Sequence, residues 1–163
     1  MVCHGCYDAP CQLKMDAWMG LERGANKDKV YDGTRLLSAN LTRLYEDAHS
    51  IEEWRKKGFF EVLNKKDPKQ GLMYQMVELK EECPLPDKGP LPDNFDFNLD
   101  RDQSCPQPEE FNSYRKERPY QGMPYGFPGL DPDKLALLTS WIEDGAPGVD
   151  VAPRSDAELR AVD

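Results

Sequence analysis

Cys3 and His4 are neighbours, and Gly5 follows them. Cys-His is the back half of the C-x-x-C-H haem attachment signature. The spacing has a mechanical reason: thioether bonds fix the porphyrin to one turn of helix, and the next residue delivers its imidazole to the iron. The front cysteine is missing, because the sequence begins one residue too late to contain it. Cys6 and Cys11 also lie in this opening stretch, with three of the five cysteines and one of the two histidines. A Cys/His zinc cluster and a disulfide between Cys6 and Cys11 compete with haem for these residues. A second stretch with chemical content is Gly122-Met123-Pro124-Tyr125-Gly126-Phe127-Pro128-Gly129, a stiff loop that presents one methionine.

The elements around these residues are helical. Asp16 is placed to cap a short helix through Arg23, with Gly24 as its stop. Val30 to Leu44 reads as a loop leading into a brief helix near Thr42. Ser50-Ile51-Glu52-Glu53 is a capping box, and the helix that it opens should end at Gly58, after Arg55-Lys56-Lys57. Leu72, Met73, Met76 and Leu79 recur at helical spacing and predict a helix from about Gly71 to Glu82. Met73 and Met76 could serve a metal, but core methionines on a buried stripe are the commoner use. Cys83 to Pro119 is dense in proline and acidic residues and reads as a long ordered loop or two short extended pieces. Phe95, Phe97 and Phe111 either line an apolar groove there or pin the loop to the core. Asp131-Pro132-Asp133 opens a last helix, with Leu135, Leu138, Trp141 and Ile142 on one face and Gly145 at its end.

An N-terminal Cys-His, followed late in the chain by a loop methionine and an amphipathic helix, has the order of a class I cytochrome c. There the terminal helices cross, the histidine binds one haem face and the Met-Pro loop closes over the other. The expected fold is therefore mainly α: one cytochrome c-like domain over residues 1–148, with a long proline-rich irregular insertion at about 52–118 and a polar tail at 149–163. His4 and Met123 are the candidate iron ligands. His49 is a rival second ligand, although beside Asp47 and Ser50 a solvated histidine is the ordinary expectation.

The chain has 163 residues, fourteen prolines and twelve glycines, which suits one domain with much irregular structure around a few helices. A net charge of −9 argues against nucleic acid and against docking to anionic headgroups. No apolar run approaches membrane-spanning length, and no signal peptide is read at the start, although a chain cut inside a motif would have lost one. If Cys3 holds haem, the remaining cysteines can pair as Cys6–Cys11 and Cys83–Cys105, which fits an oxidising compartment such as the bacterial periplasm. Four cysteines allow three pairings, and free thiols in a cytosolic protein are the plain alternative.

Four segments carry a family resemblance: Val2 to Lys14, Gly20 to Ala25, Val30 to Leu36, and Gly122 to Gly126. Together they resemble the haem-containing portion of the bacterial fatty acid cis/trans isomerases, truncated at the haem motif. Members of that family are considerably longer, so the likeness is to one portion of such an enzyme. The resemblance implies haem-dependent conversion of cis to trans double bonds in unsaturated acyl chains of membrane phospholipids, in the periplasm. It makes His4 the proximal ligand and Cys3 a thioether. The family signature has both cysteines, whereas here haem c would be covalent through Cys3 only, held by ligation alone, or absent. Met123 as the distal ligand comes from the cytochrome c order instead. The partners implied are unsaturated fatty acids or phospholipid acyl chains, with peripheral membrane contact.

Rotation about a double bond requires its π component to be weakened. Removing an electron at long range is too costly, since a gap of about 1 V amounts to about 24 kcal/mol, while one turnover per second tolerates only about 17 kcal/mol. The alkene should therefore approach the iron or react with an iron-bound species, which requires Met123 to be displaceable or off the iron, with Tyr125 and Phe127 walling an acyl channel. A cytochrome c-type electron-transfer domain without isomerase activity is the alternative, and a non-catalytic structural fragment is the third.

Overall fold

The computed structural model describes residues 3–5, 9–30, 38, 40–95 and 105–148. Expectations that fall on Cys6, Phe97, residues 31–37 and the 149–163 tail lie outside the described residues. Five α-helices are found among the described residues: α1 (Trp18–Arg23), α2 (Ile51–Lys56), α3 (Leu72–Glu82), α4 (Phe111–Glu117) and α5 (Pro132–Glu143). Short 3-10 turns occupy Pro10–Gln12, Pro68–Gln70 and Pro108–Glu110. Among the described residues, extended pairing is limited to one antiparallel bridge, Ala25 with Phe60. The chain is mainly α.

Local chemistry explains most of the boundaries. Ser50 caps α2 by accepting from the Glu53 backbone N–H, and the Glu53 carboxylate reaches back to the backbone N–H groups of His49 and Ser50. α1 ends where Gly24 takes φ +88°, and a Cβ there would lie 1.9 Å from the Phe60 carbonyl oxygen. Only glycine lets helix end and bridge meet so closely. α5 starts at Pro132, where a missing N–H costs nothing.

Two expectations are corrected. α4 stands in the stretch expected as loop. Pro108 occupies the first turn before it, and the Glu110 carboxylate accepts from the Gln107 backbone N–H at 2.9 Å. The proline that reads as loop punctuation is thus a helix start. Near Thr42 there is a single turn closed on the Arg43 carbonyl instead of a brief helix.

The main core gathers Cys11, Ala25, Val62, Leu63, Leu72, Met76, Leu79, Cys105, Phe111, Tyr114 and Ala146. Most of these fall within 52–118, so the segment expected as an irregular insertion supplies much of the core. Leu44, Ala48, Trp54 and Phe59 form a second cluster. Met76 is buried and Met73 packs against the main core, the ordinary role for methionines on a helix stripe.

The disulfide pairing is also corrected. Cys11 bonds to Cys105, 94 residues away, while Cys83 is a free, half-buried thiol at the end of α3. Neither Cys6–Cys11 nor Cys83–Cys105 is therefore made. The 3-10 turn at Pro10–Gln12 carries Cys11 into the main core, where Cys105 is buried as well. Packing brings these two sulfurs together across a long stretch of chain, against the bias toward short loops.

Candidate functional site

His4 is half-buried, and its Nδ1 lies 3.0 Å from the Leu13 carbonyl oxygen. A carbonyl only accepts, so Nδ1 carries the proton and Nε2 keeps its lone pair. Burial pushes the imidazole below its ordinary titration range, which keeps it neutral, the ligating form. Cys3 beside it is an exposed, free thiol. A neutral imidazole oriented through its second nitrogen, next to an exposed thiol, is a donor set that could hold the proximal side of a haem.

The acceptor for His4 is itself anchored. Leu13 follows the Pro10–Gln12 turn, whose Cys11 is held by the disulfide and by the Asn26 N–H on its carbonyl at 2.7 Å. Arg23, 2% exposed, donates through Nη1 to the Thr42 carbonyl at 2.8 Å and through Nη2 to the Gln12 carbonyl. Its guanidinium lies over the rings of Phe59 and Trp54, at 4.6 and 5.2 Å from their centroids. The Thr42 hydroxyl donates to Gln12 Oε1 at 2.6 Å, and Gln12 Nε2 donates to the Asp28 carbonyl at 2.7 Å. This buried network lies outside the sequence expectations. Arg23 closes a short amphipathic helix, where a solvated cation is the default reading.

Met123 sits where the loop after α4 crosses α3. A Cβ on Gly122 would lie 2.4 Å from the Lys80 backbone nitrogen, so glycine is required for the two backbones to touch. Met123 N–H then donates to the Met76 carbonyl at 2.8 Å, and its half-buried side chain packs against the main core. Tyr125 is half-buried with its ring 5.8 Å from that of Phe95, and Phe127 is 62% exposed. His49 is exposed. Trp18 of α1 and Trp141 of α5 meet edge to face at 6.2 Å, so the first and last helices touch.

Lys80 is wholly buried under the same loop, and its ammonium reaches the Tyr120 carbonyl only at 3.5 Å. Burial holds the amine below its ordinary 10.5. Between that lowered value and 10.5 the unfolded chain binds more protons than the folded one, so stability rises with pH across the window. Lys80→Met, of similar length, is expected to add about 1 kcal/mol near neutral pH and to abolish that rise. Urea titrations in neutral and alkaline buffer check both effects.

A groove of about 680 Å³ opens between α1, α2 and the segment from Phe59 to Leu72. Its apolar lining comes from Trp18, Leu21, Ile51, Phe60, Leu63 and Leu72. Neither Tyr125 nor Phe127, the residues expected to wall a channel, borders it. Each contributing stretch looks like ordinary core in isolation, and no local pattern marks the groove.

A family model described as fatty acid cis/trans isomerase matches residues 39–163, more than half of the chain. The matched residues include Met123, Tyr125 and Phe127 and start beyond Cys3 and His4. No curated protein and no solved structure matches the chain.

Proposed function

This chain belongs to the fatty acid cis/trans isomerase family, and on that premise we propose that it converts cis double bonds of unsaturated fatty acyl chains of membrane phospholipids to trans with a haem held at His4. The observation that carries the haem is the imidazole tied through Nδ1 to the Leu13 carbonyl, with Nε2 left for the iron. Cys3 would supply the single thioether, making the group a haem c covalent at one point. Met123 is the candidate for the opposite face, and the touching of α1 with α5 supports a cytochrome c-like arrangement. The periplasm is the proposed compartment, supported by the Cys11–Cys105 disulfide.

A haem held at His4 would supply an electron-withdrawing iron, the chemistry needed to weaken a π bond without net redox change. The chain's own contribution begins with His4, whose hydrogen bond to Leu13 fixes ring orientation and tautomer. Leu13 in turn holds its place through the Cys11 disulfide and the Arg23 contact to Gln12. On the other side, a displaceable Met123 leaves room for the acyl chain, and Tyr125 and Phe127 are the proposed walls. Among the described residues, no helix is long and apolar enough to cross a membrane.

The test is an absorption spectrum of the purified protein, with and without pyridine, paired with incubation on a cis-unsaturated fatty acid and analysis of product geometry. Haem absorbance and trans product are expected together, and His4→Ala is expected to bring both near background. Trans product at wild-type yield without haem absorbance sinks the haem assignment. Haem with a His/Met iron that substrate leaves unchanged, and no trans product, favours an electron-transfer domain.

A further inference from the structure

We propose that the loop from Pro119 to Leu130 is a lipid-surface contact, whose tip, with Phe127 outermost, enters the headgroup boundary of a zwitterionic bilayer. The inference rests on the family reading above and adds the part of the chain that meets the membrane. Pro119 to Leu130 is the longest run without an acidic, basic or histidine side chain, in a chain that is 31% charged and carries a net charge of −9. Two tyrosines, a phenylalanine, a methionine and a leucine lie in it, between Arg118 and Asp131. Anionic headgroups repel a chain of this charge, so apolar transfer is the force left to hold it on lipid, and this loop is built for that force.

The tip is held ready by its two feet. On one side the Met123 N–H donates to the Met76 carbonyl of α3 at 2.8 Å, and the Tyr114 hydroxyl of α4 donates to the Gln121 carbonyl at 3.1 Å. On the other side Gly129 returns against Lys80 and Glu81, again on α3. Between the feet the chain turns, with the Phe127 N–H on the Pro124 carbonyl at 3.4 Å and Gly126 at φ +71° in open space. Pro128 is exposed beside Phe127, and the Tyr125 ring is backed by that of Phe95. Because this backbone is ordered beforehand, taking the Phe127 ring out of water is not offset by a cost of ordering the loop. Leu41 and Leu137 are about as exposed, at 61% and 73%. Lys57 donates to the Leu41 carbonyl, however, and Asp133 and Lys134 stand one helical turn before Leu137. Those charges stay hydrated and keep both leucines at the water surface. Phe127, the proposed channel wall, then marks the mouth of the channel on the bilayer side.

The experiment is co-sedimentation of the full chain with phosphatidylcholine vesicles at low and high salt, with phosphatidylglycerol vesicles as the second arm. Binding to phosphatidylcholine is expected to be insensitive to salt, and binding to phosphatidylglycerol to be weaker at low salt and to recover at high salt. Phe127→Ala is expected to weaken binding about ten-fold, and Phe127→Trp to retain it. Leu137→Ala, on the charged face, should leave binding unchanged. All three side chains are exposed, so the variants are expected to fold, and circular dichroism checks this. No binding of the wild type to phosphatidylcholine overturns the proposal, and so does equal binding by Phe127→Ala. Tighter binding to phosphatidylglycerol that salt abolishes overturns it as well, in favour of a basic patch elsewhere. Self-association that Phe127→Ala abolishes, without vesicle binding, makes a second copy the occupant instead. Failure of the family reading looks different: vesicles are bound through Phe127 as expected, yet their cis acyl chains give no trans product.

Discussion

Cys105→Ser is expected to lower stability by about 3–5 kcal/mol. The bond from Cys11 to Cys105 closes a loop of 94 residues. Chain entropy alone assigns such a closure about 4.7 kcal/mol, and residual compactness of the unfolded chain reduces it. Both sulfurs are buried in the main core, so the serine also leaves a hydroxyl facing apolar neighbours. Urea unfolding followed by circular dichroism measures the loss, and dithiothreitol should reproduce most of it in the wild type. Cys83→Ser, which breaks no bond, is the control and should stay within about 0.5 kcal/mol. Equal midpoints for the two variants would remove the crosslink from any account of stability. The loss should also reach the site, because Cys11 belongs to the turn that presents the Leu13 carbonyl to His4.

Arg23→Ala is expected to cost about 3–5 kcal/mol. Truncation strips the guanidinium donors from the carbonyls of Thr42 and Gln12 and leaves a void against Trp54 and Phe59. Lys is a poor substitute, since one ammonium cannot reproduce a planar group that bonds two carbonyls and stacks on two rings. Arg23→Lys should therefore recover less than half of the loss. Thermal unfolding gives the stabilities, and the near-ultraviolet dichroism of Trp54 reports whether the stack is gone. A fully stable Arg23→Ala would mean that the network is ornamental. The double variant with Cys105→Ser should lose less than the sum, because both changes release the same Pro10–Gln12 turn.

These two residues mark the line between local and distant information. The spacing of Leu72, Met76 and Leu79, the Ser50 cap, Gly24 and Asp131-Pro132 place α1, α2, α3 and α5 close to where they occur, because a helix start or stop is decided within a few residues. α4 escaped because Pro108 carries two meanings, loop breaker and first-turn residue, and only the Glu110 contact to Gln107 separates them. The segment at 52–118 reads as irregular by composition, yet its apolar residues converge from far apart and form much of the core.

For the site, the sequence by itself determined the candidate donor: a histidine beside a cysteine, whose types and adjacency state their chemistry without any fold. It also determined the family, through segments that lie far apart along the chain. Tertiary structure alone decided that Cys11 joins Cys105, that Arg23 is buried between two aromatic rings, and that Trp18, Leu21, Ile51, Phe60, Leu63 and Leu72 face one groove. The reason is physical. Capping and periodicity act over a turn or two of chain, whereas a disulfide partner, a buried cation's acceptors and a cavity wall are chosen by whatever packing brings within a few ångströms, however distant in sequence.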